Sequence, residues 1–301
     1  MTGARYPTPV GFRAAPEARL RRRAAGDGLE LQRVRQLVVF ERFLARLVAE
    51  FEDALVLKGG LVLELRLERA RTTKDVDLRL VGPPGRTLAR LQSAGRLDLG
   101  DHLEFLVVPD PRHPQIEAEG MAYEGLRFRV EPRIADKLYG RPFGVDVAFA
   151  EPLGGEVDLI EPAGWLDFAG LKPPVVPVYP LETHIAEKLH AYTLPRSRPN
   201  SRVKDLPDIA LLASVRTVEA GTLRTAIQRT WTHRDTHPLP AAVPSPPEFW
   251  AAPYAEIART NGLPWGDLDT VVAAAAEFLA PVLVGEQEGV WQPQAWSWAK
   301  S

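Results

Sequence analysis

The 301-residue sequence predicts an α/β (α+β) chain, with a mixed first half and a mainly helical second half. Three observations carry that expectation. Apolar residues recur at helical spacing from Glu30 to Val48, and acidic and aliphatic residues alternate with period two from Asp75 to Leu80. Two proline clusters, 172–180 and 238–250, then punctuate the second half and enclose further helical patterns.

Taken in order, residues 1–28 are rich in Arg, Ala, Pro and Gly and read as a flexible lead-in. Leu31, Val34, Leu37, Val38, Leu44 and Leu47 lie on one face of an amphipathic helix. Ala54–Leu57 is a short apolar strand broken by Gly59-Gly60, and Leu61–Leu67 reads as a short helix. The Asp75–Leu80 strand closes at Pro83-Pro84-Gly85, and a helix through Leu88, Leu91 and Leu97 follows. Leu103–Val108, Leu126–Val130 and Val145–Phe149 are further strands. Helices are expected around Leu181–Thr193, Leu206–Leu212 and Leu268–Leu283, before a tail holding Trp291, Trp296 and Trp298. The expected division is a lead-in at 1–28, a mixed-sheet domain at 29–178, and a helical domain at 179–301 that completes the site.

Composition narrows the chemistry. The chain has no cysteine, which excludes disulfides, thiolate metal sites and cysteine nucleophiles. A net charge of −2 excludes a uniformly basic nucleic-acid coat, so any such contact must come from a local patch. No apolar run suggests a membrane span and no secretory core opens the chain, so a cytoplasmic protein with no membrane partner is the simplest fit.

The densest chemistry lies in KGGLVLELRLERARTTKDVDLRL, Lys58–Leu80. Residues i and i+2 of a strand share a face, so Asp75 and Asp77 present both carboxylates together while Val76 and Leu78 face the core. Adjacent ionised carboxylates repel, and a magnesium ion between them, completed by substrate phosphate oxygens, relieves the repulsion. Taken alone, Asp-x-Asp is most often a solvated pair on an edge strand. Its neighbours favour a site. Gly59 and Gly60 stand between a strand and a helix, where backbone N–H groups can approach a phosphate, and Lys58, Arg71, Thr73 and Lys74 surround them. A third carboxylate is expected from Asp146 or from its rival Asp158.

A second cluster spans 181–212. Lys188 edges the apolar stripe of Leu181, Ile185, Leu189 and Tyr192, so its stem can pack while the ammonium reaches a cleft. His184 and His190 are read as structural. Arg196, Arg198, Arg202 and Lys204 form a local basic patch, and Asp205, expected as an N-cap, shares a helix face with Asp208.

Together, Lys58-Gly59-Gly60, Arg71-x-Thr73-x-Asp75-x-Asp77, Glu187-Lys188-Leu189 and Arg202-Val203-Lys204-Asp205 with Asp208 resemble the AbiEii/AbiGii toxin family. That family includes the MenT toxins and belongs to the nucleotidyltransferase superfamily. The order and spacing are similar over roughly residues 30–215, and the segment YEGLRFRVEPRIADKLYGRPFGVDV is similar as well. The resemblance implies a nucleotidyltransferase-type domain at 29–178 and the toxin half of a toxin–antitoxin pair. It implies nucleotide transfer from a nucleoside triphosphate to RNA, at the tRNA 3′ end, with magnesium or manganese as cofactor and a cognate antitoxin as partner. On that pattern Asp75 and Asp77, joined by Asp146, hold metal. Lys188 and Asp208 complete catalysis, and Lys58, Gly59, Gly60, Arg71, Thr73, Arg202, Lys204 and Asp205 surround the triphosphate. The chain departs from the superfamily in having Gly-Gly for the frequent Gly-Ser, and in placing Pro207 between the two late aspartates. A kinase-like phosphotransferase and a non-catalytic nucleotide- or RNA-binding module are the alternatives.

Overall fold

Residues 8–67, 73–116, 125–149, 153–196, 202–286 and 288–300 are described by the computed structural model. The first half contains helices α1 (Pro9–Gly26) and α2 (Leu31–Phe51), strand β1 (Leu55–Lys58), α3 (Gly59–Arg66), β2 (Asp75–Leu80) and α4 (Thr87–Arg96). Strands β3 (Leu103–Pro109), β4 (Gln115–Ile116), β5 (Gly125–Ile134), β6 (Lys137–Leu138), β7 (Phe143–Phe149), β8 (Asp158–Ile160) and β9 (Val176–Val178) follow. The remainder comprises α5 (Leu181–Thr193), α6 (Asp205–Ala213), β10 (Val218–Glu219), α7 (Ala220–Arg234), α8 (Ala251–Asn261), α9 (Leu268–Val284), β11 (Val290–Gln292) and β12 (Ser297–Ala299).

The main sheet runs β3-β5-β7-β2-β1-β9-β8, with β4 and β6 pairing β5. It is mixed: β2 is parallel to β7 and β1 to β9, while β1–β2, β5–β7 and β3–β5 are antiparallel. Strand alternation divides its two faces. Val76, Leu78, Val145, Val147, Phe128 and Val130 are buried against Phe40, Phe43, Leu44 and Leu47 of α2 in one continuous core. The opposite face carries Lys58, Asp75, Asp77, Asp146 and Arg127, and looks onto the cleft.

A second core joins Leu181, Ile185 and Leu189 of α5 to Leu206 and Ile209 of α6, Leu223 of α7, and Val271 and Phe278 of α9. Helix α3 touches both cores, since Leu61 and Val62 enter the first and Leu63 the second. A helix apolar on two sides is required where two hydrophobic clusters meet.

Two expectations need correction. Residues 9–26 form a helix rather than a loose segment: Thr8 accepts a hydrogen bond from Gly11 N through its hydroxyl, Pro9 fits the first turn, and Phe12, Leu20 and Ala24 are buried. Its arginines mask this in the sequence, yet the Arg23 guanidinium lies 4.1 Å from the Trp165 ring centroid. The proline-rich 172–180 stretch also does more than punctuate. Val176–Val178 is a strand whose Val178 pairs with Leu57 of β1, and it leads into Tyr179, which lines the cleft.

The C-terminal tryptophans pack inward. Trp291 is buried on β11, donates from Nε1 to the Ala213 carbonyl at 2.8 Å, and meets Phe278 edge-on. Among the described residues no helix is long and apolar enough to cross a membrane.

Candidate active site

One row of side chains crosses four strands. Lys58 on β1 is paired with Asp77 on β2, Asp77 with Asp146 on β7, and Asp146 with Arg127 on β5. In-register residues point to the same side, so the row presents two central acids between two cations. The next row holds Asp75, Gly144 and Arg129.

Gly59 is dictated by this geometry. Its φ is +71°, and a Cβ there would lie 1.9 Å from Asp77 Oδ2. Gly144 is held similarly, since a Cβ would stand 2.7 Å from Asp75 Oδ1, and its N–H donates to that oxygen at 3.3 Å. Both glycines therefore make room for the acids.

Across the cleft, α5 and α6 supply Lys188 and its carboxylates. Lys188 Nζ lies 2.7 Å from Asp208 Oδ2 and 3.2 Å from Asp205 Oδ1. Asp208 is fully buried and stands behind the lysine, whereas Asp205 lines the cleft. Asp205 is in the first turn of α6 rather than at its N-cap, which is Lys204 with no side-chain cap bond. Its carboxylate is drawn to Lys188 instead. Asp205 Oδ2 is buried without a hydrogen-bond partner, and Arg202 Nη1 is 3.9 Å away. Pro207 falls in the same first turn, where a missing N–H disturbs no helical bond.

The cleft has a volume of about 560 Å³ and brings together Lys58, Gly59, Gly60, Thr73, Asp75, Asp77, Asp146, Lys188, Arg202, Lys204 and Asp205. Arg71 and Arg198 lie outside the described residues. Asp158 is elsewhere: it pairs with Arg66 at 2.5 Å and accepts from Leu181 N at the start of α5. His184 and His190 also line the cleft, and His190 shares a 2.9 Å hydrogen bond with Thr236 Oγ1 while packing on Trp231.

The electrostatics mark the acids as short of positive charge. Burial pushes the Asp77 carboxyl up, Lys58 and Lys188 oppose it, and Asp146 and Asp75 add to it. Burial and Asp146 likewise raise Asp75 against the Gly144 N–H, Arg127 and Lys74. Two under-neutralised carboxylates on one face fit a divalent cation. Among the described residues no three His, Asp or Glu side chains gather as a preassembled metal cage. Asp146 already has a cationic partner: Arg127 Nε and Nη2 donate to its two oxygens at 2.7 and 2.6 Å.

Arg127, Tyr179 and Arg234 line the cleft without having been singled out for the site from the sequence. Only Arg127 carried a usable signal: with Arg129 it alternates against Phe128 and Val130, so it falls on the polar face of its strand.

Comparison with known proteins adds the following. Residues 42–271 match the sequence profile of the nucleotidyl transferase AbiEii toxin family of type IV toxin–antitoxin systems. The fold is similar to that of MenT4, a nucleotidyltransferase toxin from Mycobacterium tuberculosis. The match has 19% identity and a TM-score of 0.60, over 93% of this chain and 92% of that one. JHP933 from Helicobacter pylori aligns at 17% identity and a TM-score of 0.45, over 83% of this chain and 92% of that one. No curated protein sequence matches the chain.

Proposed function

The chain belongs to the AbiEii family of nucleotidyl transferase toxins, and from that premise we propose that it moves a nucleotide from a nucleoside triphosphate to the 3′ end of an RNA, with tRNA as the acceptor. The observation that carries the reading is the row Lys58–Asp77–Asp146–Arg127 facing Lys188 across one cleft.

In this reading the triphosphate lies against Lys58, Gly59 and Gly60 at the start of α3, with Thr73, Arg202 and Lys204 around it. Lys188, fixed by Asp205 and Asp208, neutralises charge that builds on the phosphates. The acceptor 3′-hydroxyl oxygen bonds to the α-phosphorus. The bond from that phosphorus to the bridging oxygen breaks, pyrophosphate leaves with the electron pair, and the hydroxyl proton passes to solvent. Bound magnesium or manganese, held by Asp75 and Asp77, would polarise the α-phosphate and favour the ionised hydroxyl. Inhibition of growth, relieved by a cognate antitoxin, follows from blocking the RNA terminus.

Purified protein is incubated with bulk tRNA, magnesium and each of the four triphosphates, labelled at the α or the γ position. Label on RNA from the α position only is expected. Transfer of γ-label to protein would replace this reading with a kinase-like one.

A further inference from the structure

Arg127 and Asp146 are used by the site in a way that the family pattern of metal-binding acids does not explain. The two are direct cross-strand partners, and the guanidinium grips the carboxylate side-on through Nε and Nη2. This pairing holds the Arg127 pKa above its ordinary value, first through the hydrogen bonds to Asp146 and then through its charge, against some burial. It uses two of the five guanidinium N–H donors, which leaves three for a ligand. Arg127 lines the cleft, and Arg129, two residues on and exposed, lies on the same face. Between Asp75 and Arg129 the floor is Gly144, with no side chain to obstruct an approaching strand. Both arginines stand on the far side of the acids from Lys58 and the start of α3, where the triphosphate is placed.

We propose that Arg127 and Arg129 clamp the backbone phosphates of the acceptor RNA strand, and that Asp146 anchors Arg127 rather than ligating metal. The inference rests on the nucleotidyl-transfer reading and names the side from which its acceptor enters. Each half of the geometry supports the other. An Asp146 whose two oxygens are committed leaves Asp75 and Asp77 as a two-carboxylate site, sufficient for magnesium when phosphate oxygens complete the shell. An arginine locked in a bidentate pair is pre-oriented, so less side-chain freedom is lost when it meets phosphate.

The test measures three affinities separately on the full chain: fluorescent RNA with a free 3′-hydroxyl across a salt series, a non-hydrolysable triphosphate, and Mn²⁺ alone. Arg127→Ala should weaken RNA binding about tenfold, and the slope of log K against log salt should fall by about 0.7 for each phosphate of the single strand that is no longer neutralised. Triphosphate affinity should stay within about twofold. Asp146→Asn should weaken RNA binding likewise and keep Mn²⁺ binding, which Asp77→Asn loses. Loss of Mn²⁺ in Asp146→Asn, or loss of triphosphate but not RNA in Arg127→Ala, overturns the proposal. If Arg127→Ala does not fold, Arg127→Lys and Arg129→Ala decide, since each should reduce RNA affinity alone and an unchanged affinity refutes the clamp. Wild-type protein that transfers α-label to RNA while Arg127→Ala binds RNA normally sinks only the clamp. Wild-type protein that transfers no label sinks the underlying reading.

Discussion

Asp146 on β7 stands directly opposite Asp77 on β2 in a parallel ladder, with Lys58 beyond one acid and Arg127 beyond the other. Two facing carboxylates are unfavourable unless charge is supplied from outside the pair. Arg127 supplies it to Asp146, and Asp77 keeps a deficit.

Asp77→Asn should therefore abolish transfer and also raise the melting temperature, by a few degrees at pH 7 in chelator. The sign follows from the raised carboxyl: the folded state holds its proton to higher pH than the unfolded state, so stability falls as pH rises through that interval. Removing the charge removes the loss. Thermal melts with and without Mg²⁺ check this, and a variant that melts lower than wild type in chelator refutes it. Mg²⁺ should raise the melting temperature of the wild type only.

Gly59→Ala should cost activity through Asp77. The new methyl group would occupy the place of the Asp77 carboxylate, and alanine is strained at φ +71°. A loss of about 1–3 kcal/mol in urea unfolding is expected, together with at least a hundredfold lower transfer rate. Wild-type metal affinity in this variant would contradict the account.

Lys188→Met should remove activity and destabilise the fold. It leaves Asp205 and Asp208 buried beside each other with no ammonium between them, a loss of about 3 kcal/mol at neutral pH. Adding Asp208→Asn to it should recover part of that stability without recovering turnover. Recovered turnover would show that Lys188 serves only the fold.

His190 should make the protein acid-sensitive. Burial, then Arg234, His237 and Arg196, lower it to about 4, so it is neutral at pH 7. A base lowered in the folded state contributes stability above its unfolded value, and that contribution is lost as pH falls from about 6.5 towards 4. His190→Gln should show about 3 kcal/mol less of this acid-dependent loss in urea titrations. Equal losses in both proteins would remove His190 as the cause.

Which charged residues gather at the cleft was legible wherever chemistry forced a local pattern. Asp75 and Asp77 interrupt an aliphatic strand, Gly59-Gly60 breaks a strand from a helix, and Lys188, Asp205 and Asp208 lie on amphipathic segments. Each departs from what packing alone would select. Val176–Val178 was hidden because prolines around it suppress the strand pattern. Asp158 matched Asp146 in local sequence, an acid among aliphatic residues, although it only pairs Arg66 and caps α5.

By itself the sequence determined the main helices and strands around the cleft, the polar face of β2 and the residues that could carry charge into a cleft, because side-chain periodicity is set by backbone geometry over a few residues. Only the tertiary structure decided which charges meet. Strand order places β7 between β2 and β5, so Asp146 faces both Asp77 and Arg127. The packing of α5 on α6 fixes Lys188 against Asp208 rather than leaving it in solvent. Cross-strand register and helix packing join residues far apart in the chain, and no local pattern records that pairing.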